Sequence, residues 1–222
     1  MALQVIPVRV FFQKKGRLKY ISHLDTMSLL TKALSRSNLP VWYTEGYNPH
    51  IYITLPFALS LGYEGQREVM EFKLVEEVEA DVIKTRLNKL LPEELNIIDV
   101  THPVKSTMDA TWADYKMLLY YKDGADEAAE KFSEFITSPT IIVEKKSKRG
   151  MLPVDIKPAV NISEFKAVEE GLYIEGRFAA GNEYNINPRI FWESFSGFYG
   201  REPKDVRVTR VRILDSEGKD FA

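Results

Sequence analysis

Two short histidine-bearing stretches offer the most chemistry in this sequence. His23 and Asp25 stand together in Ile21-Ser22-His23-Leu24-Asp25, and His50 ends Gly46-Tyr47-Asn48-Pro49-His50. Imidazole changes protonation near neutral pH, so two of them can take up and return a proton, as RNA strand cleavage requires. With Asp25 or Glu45 the same pair can instead hold a divalent metal, because imidazole and carboxylate are ordinary ligands for one. Either chemistry needs both stretches in one place. Each stretch also has a plain structural reading: His23 as a first-turn or capping residue of a helix, and His50 as part of an Asn-Pro turn.

Cations gather around the first stretch. Lys14, Lys15, Arg17 and Lys19 precede His23, and residues 1–55 hold seven Lys and Arg against two acids. Tyr20, Trp42, Tyr43, Tyr47 and Tyr52 are interleaved, with Asn48 beside Tyr47. Cations mixed with aromatic rings suit an anionic partner carrying stackable bases, which describes single-stranded RNA. The opposing reading is a solvated charged surface over a core that buries the rings. A second cationic cluster comprises Lys145, Lys146, Lys148, Arg149 and Lys157. It lies in a stretch, 145–171, that reads as a long basic loop, and long loops are commonly functional or disordered.

Several chemistries are excluded. The chain has no cysteine, so it offers no disulfide, thiolate zinc site, cysteine nucleophile or cysteine-ligated iron–sulfur cluster. No Gly-x4-Gly-Lys-Ser/Thr, Gly-x-Gly-x-x-Gly or Gly-x-Ser-x-Gly occurs, and its three histidines make no His-x3-His pair, so no metal site is assigned. The 222 residues carry 30 Lys and Arg against 32 Asp and Glu, a net charge of −2. That balance excludes a generally basic or acidic-tail protein. With 45% apolar and 28% charged residues the chain can bury a core. Residues 1–12 lack a cationic start and long apolar run, and no stretch approaches the ~20 apolar residues of a membrane helix. The expectation is a cytoplasmic protein without a membrane partner.

The elements that must position these residues follow from periodicity. Strands are expected at 5–12, 41–44, 67–75 and 95–101. Helices are expected at 22–37, opened by the capping-box spacing of Ser22 and Asp25, and at 80–91. The order is β-α-β-β-α-β. It repeats as strand 115–121, helix 125–136, strands 140–145 and 172–178, a helix opened by Asn187-Pro188, and strand 206–213 with a bulge near Thr209. The fold class is therefore α+β, two tandem ferredoxin-like halves with antiparallel sheets, residues 1–104 and 105–222. A single α+β domain with one sheet is the alternative. In the first half this topology places residues 13–25 and 45–51 at one end, which would unite His23, Asp25 and His50.

Both motifs carry a resemblance. Arg17-Leu18-Lys19-Tyr20-Ile21-Ser22-His23-Leu24-Asp25, Gly46-Tyr47-Asn48-Pro49-His50, Leu55-Pro56 to Gly62, and Lys148-Arg149-Gly150 with Val154-Asp155-Ile156-Lys157-Pro158 resemble the bacterial radical-SAM-linked family, domain of unknown function 2344. The resemblance implies a radical S-adenosylmethionine protein as partner, since some members look like the carboxy-terminal part of fusions with that module. It implies no settled activity and no proven catalytic residue. The Cys-x3-Cys-x2-Cys of such a module is missing, so any radical chemistry belongs to the partner, and no cofactor is expected on this chain.

Three functions remain open. The first is an accessory RNA-binding or substrate-presenting module for a radical S-adenosylmethionine enzyme. The second is a stand-alone RNA-processing enzyme using His23 and His50. The third is a protein-interaction scaffold, which a pI near 6.0 favours.

Overall fold

The structure, a computed structural model, describes residues 5–147, 150–181 and 184–220, without the side chains of 146 and 147. The described chain is α+β, and the strand pairs within each unit are antiparallel. It divides into two compact units, one running to Thr107 and one spanning Met108–Asp220.

The amino-terminal unit contains β1 (Ile6–Lys14), α1 (His23–Arg36), β2 (Ile53–Thr54), β3 (Glu64–Leu74), α2 (Ala80–Asn88) and β4 (Leu95–Thr101). Its strands run β4-β1-β3-β2 across the sheet. Val8, Val10 and Phe12 alternate on β1 and meet Leu30 and Leu34 of α1 and Ile83 and Leu87 of α2 in one core. The opposite face of β1 is also buried: Arg9 and Phe11 are each 1% exposed. Arg9 satisfies its charge on Glu71, its cross-strand partner, at 2.6 Å. A buried charge is tolerable only when paired in this way. Helix α1 begins where the capping box predicts. Ser22 Oγ accepts from Asp25 N at 3.1 Å, and Asp25 Oδ2 accepts from Ser22 N at 3.2 Å.

Two expectations for this unit change. Residues 41–44 form no strand, only the isolated bridges Val41–Leu74 and Tyr43–Ile51, and the edge strand is β2. Helix α2 ends at Asn88, where the Asn88 side chain leaves the helical pattern to bond both Ile97 N and Ile97 O of β4.

The carboxy-terminal unit contains β5 (Ala110–Tyr120), α3 (Ala125–Thr137), β6 (Ile142–Ser147), β7 (Gly150–Asp155), β8 (Val160–Val168), β9 (Gly171–Ala179), α4 (Pro188–Tyr199) and β10 (Asp205–Asp215). Its main sheet runs β10-β5-β9-β8, and β6–β7 is a separate two-stranded hairpin. Ala113, Tyr115, Met117 and Leu119 of β5 and Leu172, Ile174 and Phe178 of β9 are buried, as are Phe132 of α3 and Phe191 and Phe195 of α4. Phe132 meets Phe195 edge-on at 5.1 Å, the favoured aromatic geometry.

Here the expected long basic loop 145–171 and the expected sheet strand 140–145 are both corrected. Strands β6 and β7 make the hairpin, and β8 occupies the sheet position given to 140–145. Strand β8 escapes a periodicity reading because its register slips between Ile162 and Glu164, which breaks the alternation of Val160 and Ile162 with Phe165. On β10 the slip falls between Arg210 and Arg212, so the bulged residue is Val211, two positions beyond Thr209.

Candidate functional site

Lys14, at the end of β1, is 2% exposed, so it is no surface contact for a phosphate. Its ammonium donates to Ile21 O at 3.0 Å, which ties the motif segment before α1 to the sheet. Beside it lie Glu68, 3% exposed, and Thr26, 4% exposed. With His23 and the apolar wall of Phe12, Leu55, Phe57, Leu59 and Val69 they enclose about 20 Å³, room for one water. Burial pushes the Lys14 pKa down, and the charges of Glu68 and Asp25 oppose that. Asp25 is held below the usual carboxylate range by the side-chain and backbone hydrogen bonds of Ser22, so it serves the helix cap. Glu68 was not singled out by sequence, and Leu55, Phe57 and Leu59 figured only within the stretch Leu55-Pro56 to Gly62 that carries the family resemblance. The connection 55–63, which precedes β3, brings the apolar three here.

His50 is not part of this cluster. Its Nδ1 lies 3.1 Å from Thr44 Oγ1 and 3.1 Å from Asn48 O, which closes the 44–50 turn on itself. That turn is rooted beside Lys73, through Trp42 N to Lys73 O at 2.8 Å, whereas Lys14 pairs with Gly65. Lys73 and Gly65 sit near opposite ends of β3. The expected meeting of 45–51 with 13–25 therefore fails at its premise: the connection into β3 is 55–63, not 45–51. Tyr47 is 99% exposed at the tip, with Asn48 and Glu45 also exposed.

The remaining cations scatter. Lys15 and Arg17 are exposed, and Arg17 reaches Glu94 only at 3.9 Å. Lys19 lies 5.1 Å from the ring of Tyr20, itself 66% exposed. Lys145 donates to Asn185 O at 2.8 Å and sits over Tyr184. Lys157 donates to Ile136 O, so it caps the carboxy-terminal end of α3. Lys148, Arg149 and the side chain of Lys146 lie outside the described residues.

A more concentrated charged surface emerges from the register of the second unit. Residues facing away from its core line up across four strands in three rows. The first is Arg207, Leu118, Tyr173 and Lys166; the second Thr209, Lys116, Glu175 and Glu164; the third Arg212, Asp114, Arg177 and Asn161. Five cations stand against three carboxylates. In the third row, Arg177 Nε and Arg212 Nε reach the Asp114 carboxylate at 2.8 and 2.9 Å. Burial alone would raise the Asp114 pKa, but the hydrogen bonds and charges of Arg177 and Arg212 outweigh it and hold it low. In the second row Lys116 lies 3.2 Å from Glu175, whose pKa is lowered first by the hydrogen bond from Tyr173. In the first row Lys166 and Arg207 sit over the rings of Tyr173 and Tyr120 at 5.3 and 4.8 Å. A cavity of about 520 Å³ opens over the second and third rows, reached by Asn161 and Ser163. Sequence reasoning missed this face because its members sit on four strands, and only pairing register puts them in line.

No group of three or more metal-ligating His, Asp or Glu side chains occurs among the described residues. No described helix is long and apolar enough to cross a membrane. Compared with known families, residues 8–188 match the model described as an uncharacterized protein conserved in bacteria (DUF2344). No curated protein matches the chain.

Proposed function

The chain belongs to this family of uncharacterized bacterial proteins, DUF2344, and on that premise we propose that it is an RNA-binding module that presents substrate to a radical S-adenosylmethionine enzyme. The observation that carries the RNA reading is the three-row face of the carboxy-terminal unit. It joins cations, which neutralise phosphates, to the ring of Tyr173, which can stack on a base, beside a cavity of about 520 Å³. A sequence-independent RNA surface needs those two ingredients together.

The division of labour follows from composition. A chain without cysteine cannot supply thiolates to a cluster, so the partner would hold it, and this chain would contribute recognition. The same proposal reads each unit as a ferredoxin-like half. Strand orders β4-β1-β3-β2 and β10-β5-β9-β8, with a helix after the first and third strands of each sheet, support it.

The test is fluorescence anisotropy with a short labelled single-stranded RNA over a range of salt concentrations. Binding should weaken with salt at a slope of roughly −0.7 in log–log form per phosphate contacted. Absence of binding at low salt would remove the RNA reading and leave the scaffold reading in its place.

A further inference from the structure

We infer that the three-row face divides its work, clamping a backbone phosphate with Arg212 and Arg177 in the third row and stacking an unpaired base on Tyr173 in the first. This rests on the RNA-binding reading and adds to it a ligand form, single-stranded, and a position for each part of it.

The third row is built for an oxyanion. Asp114 accepts from the Nε of both arginines and from Arg177 Nη2 at 3.4 Å, which holds two guanidinium groups, one from each strand flanking β5, on one carboxylate. The terminal nitrogens of Arg212 have no hydrogen-bond partner among the described residues, and the side chain keeps 45% of its exposure. A guanidinium oriented through Nε with its Nη edge unoccupied can meet a phosphate through two parallel hydrogen bonds. The pair outnumbers its single carboxylate, so the row retains positive charge after Asp114 is counted. Two cations facing one cavity would repel without Asp114, which makes that carboxylate the positioning residue of the clamp. Asn161 and Ser163 on β8 line the same cavity and supply neutral polar groups beside it.

The first row is built for a ring. Tyr173 faces the same side as Asp114, with Lys166 above it at 5.3 Å. Its hydroxyl is committed to Glu175, and Glu175 to Lys116, so the ring is anchored at its rim. Asp114 and Leu118, which pairs with Tyr173, lie four residues apart on β5. At ~3.3 Å per residue that separates clamp and ring by ~13 Å, a distance that a few nucleotides of flexible strand can span. A duplex cannot use both positions, because its bases are stacked on one another and their faces are closed to tyrosine.

The experiment uses the full chain and the same labelled single-stranded RNA, with Arg212→Gln, Arg212→Lys and Tyr173→Leu compared at several salt concentrations. Arg212→Gln should flatten the salt slope by about 0.7, the share of one phosphate, while Arg212→Lys should keep the slope and bind more weakly. Tyr173→Leu should weaken binding about tenfold with the slope unchanged, since stacking releases no counterions. Unlabelled duplex RNA of the same sequence should compete poorly. Circular dichroism melts of each variant show whether it is folded. Should the wild type bind with a salt slope that Arg212→Gln leaves intact, or an affinity that folded Tyr173→Leu leaves intact, this placement is wrong while RNA binding stands. Should the wild type not bind at all, both readings fall.

Discussion

The side chain of Glu68 folds back over Gly65, so that a β-carbon on residue 65 would stand 2.5 Å from Glu68 Cγ. Gly65 pairs with Lys14 across the sheet, so the glycine makes room for one buried charge while its strand neighbour supplies another. Gly65→Ala should therefore destabilise the protein by about 1–3 kcal/mol, because the buried Glu68 side chain must shift to admit the methyl group. Urea unfolding of the variant measures this. A loss below a few tenths would mean that Glu68 swings aside freely.

Lys14 gives a pH signature. Its native pKa lies below its ordinary 10.5 because burial disfavours the ammonium. The unfolded chain then binds this proton more tightly than the native one, so this group makes stability rise with pH from the lowered native value up to 10.5. Replacing Lys14 with Met should abolish that rise. Unfolding curves for both proteins across the alkaline range test it, and parallel pH profiles would refute it.

Asp114 gives a slope of the same sign, in the acid range. Its native pKa is below the ordinary 3.8, so its contribution is present above that value and disappears as pH falls through the native one. Wild-type protein should lose stability in acid more steeply than Asp114→Asn, which gives up the ion pairs at every pH. Thermal melts between neutrality and strong acid would show equal acid slopes if Arg177 and Arg212 did not hold the carboxylate.

Ser22→Ala removes the hydroxyl that accepts from Asp25 N and that donates to Asp25 Oδ2 at 2.7 Å. A lost N-cap of this kind costs ~1 kcal/mol. Chemical denaturation should show that loss, while RNA affinity stays at the wild-type value because the proposed face lies on other strands.

Lys157→Met separates capping from recognition in the second unit. Lys157 donates to the carbonyl of Ile136 near the end of α3, so its loss should lower stability by roughly 0.5–1 kcal/mol. The salt slope of RNA binding should not change. A flattened slope would return Lys157 to the phosphate-contacting set in which its sequence neighbours placed it.

The sequence alone determined what depends on neighbours along the chain. Ser22 and Asp25, three residues apart, start α1 because a capping box needs nothing beyond that spacing. Asn187-Pro188 opens α4 for the same local reason. The alternation of Val8, Val10 and Phe12, and of Met117 and Leu119, marked core-facing strand positions, since period two is a property of one strand. What only the tertiary structure decided was which residues from different strands meet. Nothing local announces that Lys14 faces Gly65 and is buried beside Glu68, or that a connection at 55–63, not 45–51, brings apolar side chains to His23. Arg212, Asp114 and Arg177 come into line only after β10 absorbs an extra residue at Val211, and β8 joins the sheet despite a slip at Ser163. Register is a relation between strands, fixed by pairing and core packing over the whole unit, and a one-residue slip moves a side chain from one face to the other.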